Sequence, residues 1–193
     1  MAEKMNMVWG TEYRDAVAGV KEFNRVCYGF HTEEQFYAFT EPIKGLQKNM
    51  KFLDFGCGPG RIVKTVAPEV KEYVGVDVSA GLLEMAREHH KEYTNVSFVK
   101  GNGTDLRELE DNDFDYLYSR LVLIHVPKEW IVGYVIEFFR VLKLGGILFI
   151  PDFPRADMNA NGFTMEEMNE MFKDFAQVSV ERKDNTYTVD CVK

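Results

Sequence analysis

The sequence predicts an α/β fold: a doubly wound, mostly parallel sheet of seven strands whose last two strands form an antiparallel hairpin. Three observations carry this prediction. Short apolar runs alternate with helical patterns from Lys51 onward, as expected of parallel strands joined by helical crossovers. A glycine-rich turn, G-C-G-P-G, follows the first run directly. The last two runs, Q-V-S-V-E-R and Y-T-V-D-C-V, flank the polar turn K-D-N-T.

The elements of the sheet follow one another in a regular order. We predict five parallel strands, in K-F-L-D-F, E-Y-V-G-V-D-V, V-S-F-V-K, F-D-Y-L-Y-S and G-G-I-L-F-I-P-D. Helical patterns follow the first, second and fourth of these runs. The third connection, between Gly101 and Asp113, leaves room only for a loop or a single turn. A short helix is expected near Thr164, whose hydroxyl forms a capping-box pattern with Glu167.

The first fifty residues show no strand pattern. Two amphipathic helical segments, roughly 12–26 and 33–44, are rich in Phe and Tyr. We expect them to form a cap over the carboxyl edge of the sheet, where such folds bind ligands. The expected organisation is a single domain over 1–193, made of an N-terminal helical cap (1–48) and a core (49–193).

Composition limits the classes of function. The formal charge of −8 argues against a nucleic-acid backbone as the main partner, because that footprint needs a basic stripe. No apolar run reaches membrane-spanning length, and no leader pattern is present at the N-terminus, so we expect a cytoplasmic protein. The three cysteines are widely spaced and form no C-x-x-C pair, which indicates neither a disulfide framework nor a zinc site.

The glycine-rich turn is the strongest functional signal. A strand, a glycine turn and a helix N-terminus together suit a ligand that approaches the backbone closely. Counting from Gly56, a dinucleotide fingerprint would need Gly or Ala at the sixth position, where this chain has Arg61. A phosphate-binding P-loop would end in G-K-[ST], which is absent. The remaining pattern, G-x-G-x-G preceded by Asp54, favours a cationic ligand.

Several motifs in order resemble the class I S-adenosylmethionine-dependent methyltransferases, a Rossmann-like family. D-F-G-C-G-P-G resembles the first motif of that family, V-D-V-S-A-G-L-L-E-M-A the second and G-N-G-T-D-L the third. F-D-Y-L-Y-S-R-L-V-L-I-H-V-P and R-V-L-K-L-G-G-I-L-F-I resemble the fourth strand and the turn into the fifth. The resemblance covers roughly Lys51 to Asp152.

The resemblance implies S-adenosylmethionine as cofactor and S-adenosylhomocysteine as product. Asp77, about twenty residues after the glycines, matches the acidic residue that accepts hydrogen bonds from ribose hydroxyls. Asn102 stands where the family commonly has an acidic residue at the adenine amino group, and Asp105 is a reserve candidate. The expected cofactor-binding residues are Asp54, Gly56, Gly58, Gly60, Asp77, Val78, Leu82, Asn102, Gly103, Thr104, Ser119 and Leu121, with Val78 and Leu82 on the two faces of adenine.

Two residues are candidates for catalysis. His125 follows the fourth strand and titrates near neutrality, so it is the favoured base, although many family members carry histidine here for packing or orientation. The segment also resembles phosphoethanolamine methyltransferases, in which a histidine here works with an N-terminal tyrosine; Tyr13 is the candidate for that tyrosine. The pair His89-His90, at the polar end of a helix, is interpreted as solvated.

The expected partner is a small-molecule methyl acceptor. Arg120 and Arg155 are candidates for contact with an anionic acceptor group, with surface solvation as the alternative for each. Two other functions stay open: methyl transfer to a protein or RNA, and a non-catalytic subunit that binds S-adenosylmethionine and docks a partner protein. We expect a monomer or a weak homodimer, with no metal in the site.

Overall fold

A computed structural model of the chain describes residues 43–158 and 162–193. Nearly all of the predicted N-terminal cap, including Tyr13, lies outside these ranges; residues 43–48 form no helix. The strands are β1 (Lys51–Phe55), β2 (Glu72–Asp77), β3 (Val96–Lys100), β4 (Phe114–Ser119), β5 (Leu142–Pro154), β6 (Gln177–Arg182) and β7 (Thr186–Val192). The helices are α1 (Val63–Val66), α2 (Ala80–His89), α3 (Lys128–Val141) and α4 (Met165–Met171), with 3-10 turns at Ala67–Glu69 and Leu123–His125.

The seven strands form one sheet in the order β3-β2-β1-β4-β5-β7-β6. β4 runs parallel to β1 and to β5, and β2 runs parallel to β3. β7 is antiparallel to both β5 and β6. The predicted fold class is confirmed, including the terminal hairpin. As expected, no helix interrupts the connection between β3 and β4.

Contacts divide the chain into two compact units. The first unit contains Cys57–Gly103 together with the described residues up to Met50, and the second contains Lys51–Gly56 and Thr104–Lys193. The first unit therefore holds β2, α2 and β3, and the second holds β1 and everything from β4 onward.

The core of the first unit depends on a close approach at the middle of β2. A Cβ on Gly75 would lie 2.8 Å from the Cys57 sulfur and 2.8 Å from the Phe98 ring, so only glycine fits there. The Cys57 N–H donates to the Val76 carbonyl at 3.1 Å. Cys57 is thus a buried packing residue, as its place between two glycines suggested.

The core of the second unit is aromatic. Helix α3 buries a stripe at helical spacing, formed by Ile131, Tyr134, Val135, Phe138 and Val141. From β1, the Phe55 ring packs on the Tyr134 and Phe138 rings, with centroids 4.8 and 5.0 Å away. These contacts attach α3 to the strand that leads into the glycine-rich turn.

Arg155 is buried and holds the terminal hairpin. Its guanidinium donates to the carbonyls of Lys183 and Asp184 at 2.6 Å each and pairs with Asp157. Both sequence interpretations of Arg155, contact with an anionic acceptor and surface solvation, were wrong, because its donors are used within the protein. Helix α4 begins with the predicted capping box between Thr164 and Glu167.

Two absences hold for the described ranges. None of the helices there is long and apolar enough to cross a bilayer. Nor does any group of three or more His, Cys, Asp or Glu side chains in residues 43–158 and 162–193 assume an arrangement that could hold a metal ion.

Replacing Arg155 with leucine should lower the free energy of unfolding by about 2–4 kcal/mol, because two carbonyls and a carboxylate lose a buried donor. Arg182 provides a matched control, since it also contacts Asp157, at 3.1 Å, but is 71% exposed. We expect Arg182→Leu to cost less than about 1 kcal/mol. Urea denaturation measures both changes, and equal losses would contradict a structural role specific to Arg155.

Candidate functional site

The glycine-rich turn between β1 and α1 has an unusual backbone. Gly56, Gly58 and Gly60 all have positive φ angles, of 75°, 54° and 83°. This left-handed region is costly for residues that carry a Cβ and is freely available to glycine. The spacing G-x-G-x-G in the sequence is therefore a direct consequence of the turn's conformation.

The three glycines also differ in what surrounds them. A Cβ on Gly56 would lie 2.1 Å from a methyl carbon of Val122, and one on Gly60 would lie 2.7 Å from the His90 ring. At Gly58, by contrast, no atom of the described part of the chain lies within 4 Å of that position. Two glycines accommodate neighbouring side chains, and the middle one leaves the backbone open for a ligand.

Asp77, the last residue of β2, holds the middle of the turn. One carboxylate oxygen accepts the Gly58 N–H at 2.9 Å, and the other accepts the Ser79 N–H at 2.8 Å. Burial raises the pKa of the Asp77 carboxyl above its usual value, and these N–H donors lower it in part. A carboxylate accepts about four hydrogen bonds. The Val78 N–H is a further donor to Asp77, so the carboxylate keeps an acceptor position for a ribose hydroxyl. The sequence analysis predicted only the ribose contact.

The ends of β2 and β3 come together in the first unit. The Gly101 N–H donates to the Asp77 carbonyl at 3.0 Å. Gly103 has a φ of 81°, and a Cβ there would lie 3.4 Å from a methyl of Val78. The structure thus places the proposed adenine-contacting segments, at Val78 and Asn102, side by side. Leu82, in the first turn of α2, is buried at 3% exposure.

Thr104 and Asp105 begin the second unit's part of the β3–β4 connection. Asp105 forms a salt bridge with Arg107, whose Nε and Nη2 donate to its two carboxylate oxygens at 2.8 and 2.6 Å. Thr104 donates to the same carboxylate at 3.3 Å. Since Arg107 occupies the carboxylate, Asn102 remains the stronger candidate for the adenine amino group.

The carboxyl end of β4 carries a cluster of buried charges. Asp54 of β1 lies opposite Tyr118 of β4 in the parallel register. Burial raises the pKa of Tyr118 strongly; Asp54 and Asp152 raise it further, whereas Arg120 lowers it. Asp54 and Asp152 are only 5% and 8% exposed. Among the described residues, the charged groups that act on Tyr118 are these two carboxylates and the Arg120 guanidinium, a set suited to a cationic ligand.

A strained turn follows this cluster. Leu121 has a φ of 56°, which costs a side-chain-bearing residue about 1–2 kcal/mol. Its N–H donates to the Asp152 carboxylate at 2.7 Å, which holds the turn in place. Such strain is concentrated at functional sites. Sequence reasoning missed the role of Asp152, although an acidic residue just after an apolar strand run was a usable signal.

His125 lies at the end of the 3-10 turn that follows Leu121 and Val122. Its backbone N–H donates to the Val122 carbonyl at 2.9 Å, and its side chain is exposed. Although part of the ring faces solvent, desolvation by neighbouring atoms lowers the pKa of His125 below the ordinary value of 6.5, so the imidazole is neutral at pH 7 and can accept a proton. Ser119, the last residue of β4, is fully buried.

His90 differs from its sequence interpretation. It was expected to be solvated, yet it is 2% exposed and its ring packs against the glycine-rich turn at Gly60. Its neighbour His89 is exposed, as expected. A one-residue step on a helix moves a side chain by about 100°, and the sequence of two adjacent histidines gives no sign of which one faces inward.

Alanine at Gly56 should destabilise the protein by about 3 kcal/mol, from left-handed strain together with overlap with Val122. Gly58→Ala has the same left-handed strain, but its Cβ meets no described neighbour, so it should cost about 1–2 kcal/mol. In the double variant Gly56→Ala/Val122→Ala, the two Val122 methyl groups at 2.1 and 2.8 Å are removed and only the Cβ at 3.0 Å remains, so part of the loss should be recovered. Thermal or urea unfolding measures this cycle, and strict additivity would show that Val122 does not restrict Gly56.

Comparison with known proteins gives a consistent pattern. A sequence profile described as a methyltransferase domain matches residues 53–150. The chain is 37% identical over 108 residues to demethylmenaquinone methyltransferase from Staphylococcus aureus (strain JH9). That match covers 54% of this chain and 43% of the relative, so the chain spans less than half the length of the curated relatives it matches.

Solved structures share the fold at low identity. A S-adenosylmethionine-dependent methyltransferase from Aquifex aeolicus superimposes with a TM-score of 0.59 at 18% identity, covering 83% of this chain and 97% of that one. Phosphoethanolamine N-methyltransferase 1 from Haemonchus contortus, solved with phosphoethanolamine and S-adenosylhomocysteine, gives a TM-score of 0.65 at 14% identity, covering 82% and 34%. At these identities the likeness concerns the fold.

Proposed function

Because this chain belongs to the methyltransferase domain family, we propose that it transfers the methyl group of S-adenosylmethionine to a small-molecule acceptor and releases S-adenosylhomocysteine. The observation that carries the proposal is the glycine-rich turn. Its three glycines are left-handed, the Asp77 carboxylate holds the middle one through the Gly58 N–H, and no described residue fills the space beside Gly58. This arrangement suits a nucleoside that must approach the backbone closely.

The donors and acceptors of the first unit fit the adenosine part of the cofactor. Asp77 accepts three backbone N–H groups and keeps an acceptor position for a ribose hydroxyl. The Asn102 amide oxygen, at the end of β3, is an acceptor suited to the adenine amino group, and Val78 offers an apolar surface to the ring. In the first unit, these three residues belong to segments that the structure brings together.

The electrostatics of the second unit fit the sulfonium. The cofactor is a cation at its reacting centre, and its bound sulfonium supplies an activated methyl group. Among the described residues, Tyr118 has the buried carboxylates of Asp54 and Asp152 and the Arg120 guanidinium as charged neighbours. Charge interactions are stronger there than in water, so the cluster favours the cationic substrate form over the neutral product.

His125 is proposed to accept the proton of the methyl acceptor. Methyl transfer needs a nucleophile held in line with the methyl–sulfur bond, and a hydroxyl, phenol or ammonium must lose its proton before or during attack. A neutral, exposed imidazole that follows the strained Leu121 turn is suited to that task. Asp152 supports it indirectly, because its bond to the Leu121 N–H fixes the turn.

A small molecule is the proposed acceptor class. The name of the Staphylococcus aureus relative gives demethylmenaquinone, a small molecule, as what that enzyme methylates. The formal charge of −8 on this chain opposes binding to nucleic-acid backbones. Demethylmenaquinone is therefore the first acceptor to assay, and phosphoethanolamine, with which the Haemonchus contortus enzyme was solved, is the second. A screen in which only RNA or protein becomes methylated would overturn this part of the proposal.

Cofactor binding should depend on the charge of Asp77. We expect Asp77→Asn to weaken S-adenosylhomocysteine binding about 10- to 100-fold, because charged acceptors contribute about 1.5–3 kcal/mol to such hydrogen bonds. Glu88→Gln is the matched control, since Glu88 is an exposed carboxylate on α2 paired with Lys91. Calorimetric titration at pH 7.5 checks both variants. Absence of binding to the folded wild-type protein would refute the proposed function.

Methyl transfer should depend on the protonation state of His125. With the acceptor found in the screen, His125→Ala should lower kcat about 100-fold or more while S-adenosylhomocysteine affinity stays unchanged. In the wild type, kcat should fall as pH drops below 6.5, because the pKa of His125 is lowered and only the neutral ring accepts a proton. His89→Ala, at an exposed histidine, is the control. A variant that retains full kcat would exclude His125 as the base.

A further inference from the structure

The buried imidazole beneath the glycine-rich turn has no part in the mechanism above. We propose that His90 is a positioning residue for this turn, and that its protonation releases the turn and thereby weakens cofactor binding in mildly acidic solution. The proposal rests on the proposed function, because it takes the turn to be the cofactor site. It goes beyond that function by assigning a pH-dependent control to a residue outside the ligand contacts.

Contact between His90 and the turn is close. A Cβ on Gly60 would lie 2.7 Å from Cδ2 and 2.8 Å from Nε2 of the ring, so the imidazole occupies the space that any other residue at 60 would need. The ring also packs near the Tyr93 and Phe98 rings, with centroids 6.2 and 6.4 Å away. The backbone N–H of His90, the C-cap residue of α2, donates to the Ala86 carbonyl at 3.1 Å. His90 thus connects the end of α2 to the turn.

The surroundings of the ring favour its neutral form. Among the described residues, neither ring nitrogen has a hydrogen-bond partner of normal geometry. Burial lowers the pKa of His90 below 6.5. The Pro59 carbonyl and the charge on Glu92 raise it in part, while the charges on His89 and Lys64 lower it further. Within residues 43–158 and 162–193, these groups and Tyr93 are the polar and titratable neighbours given for the ring.

Protonation of His90 creates a buried cation without a matching acceptor for each N–H. Burying an unpaired charge is unfavourable, so the charged ring moves toward water or draws the Pro59 carbonyl toward it. Either movement displaces Gly60, whose N–H donates to the Cys57 carbonyl at 3.0 Å and whose carbonyl accepts the Val63 N–H at 3.2 Å. These two hydrogen bonds define the part of the turn that follows Gly58.

The sign of the effect follows from linkage. If the bound cofactor requires the ordered turn, it binds the neutral-His90 form more tightly, and by reciprocity binding drives a proton off His90. Affinity is therefore full above pH 6.5 and decreases as pH falls through the pKa of His90 in the free protein. A leucine would fill the same space without this dependence.

The test is calorimetric titration with S-adenosylhomocysteine from pH 5.5 to 8 on wild type, His90→Leu and His89→Leu. We expect wild-type affinity to fall by up to about tenfold per pH unit on the acidic side, the limit for one linked proton. His90→Leu should bind with nearly constant affinity, and His89→Leu should follow the wild type. Repeating the titrations near pH 6 in two buffers of different ionisation enthalpy should show proton release on binding that is absent from His90→Leu.

The outcomes separate the two proposals. Wild-type protein that is folded but binds no S-adenosylhomocysteine at pH 8 overturns the proposed function, and this inference with it. Binding at pH 8 with the same acid dependence in His90→Leu overturns the inference alone, and assigns the dependence to another group such as Asp77. If His90→Leu fails to fold, histidine ring resonances of the wild type give the answer: the pKa of His90 should drop on cofactor binding, and an unchanged pKa refutes the inference.

Discussion

The hydrogen bond from the Gly58 N–H to the Asp77 carboxylate is the interaction on which the site depends. It ties the glycine-rich turn to the end of β2, and the same carboxylate accepts the N–H of Ser79, the N-cap residue of α2. One side chain thereby sets the position of a turn and of a helix start. Since a carboxylate has about four acceptor sites and the backbone N–H groups of Gly58, Val78 and Ser79 use three, the structural role and a ribose contact are compatible.

The second unit carries polar groups at the end of β4, a strand whose other residues are packed in the core. These groups are the charges around Tyr118 and the left-handed residue Leu121, whose N–H is bound by Asp152. A strained residue such as Leu121 persists only where its surroundings hold it, and the Asp152 carboxylate does so through the Leu121 N–H. The consequence is an exposed His125 on a well-defined backbone.

Local patterns predicted most of the fold. Alternating apolar runs located every strand, the short β3–β4 connection was evident from its length, and Thr164 with Glu167 marked the start of α4. The predicted methyltransferase family is also confirmed by the profile match over residues 53–150. These features depend on residues close together in sequence, where periodicity, turn chemistry and capping act directly.

What the sequence did not reveal depends on contacts between distant residues. Arg155 binds carbonyls 28 and 29 residues away, and Asp152 binds an N–H 31 residues away. His90 packs on Gly60, from which β2 and α2 separate it along the chain. Each is a polar side chain whose burial depends on a contact that forms only when the chain is folded. The residue type alone favoured a surface position in every case.

The three glycines of the turn show why a motif of one residue type can combine several functions. All three are required by the same backbone conformation, but Gly56 also makes room for Val122, Gly58 leaves space for a ligand and Gly60 makes room for His90. A turn with this many neighbours has little freedom to relax when one of them changes. Under the role proposed for His90, a change of charge on its ring acts on Gly60 and so reaches Gly58, two residues before Gly60, where the proposed ligand meets the backbone.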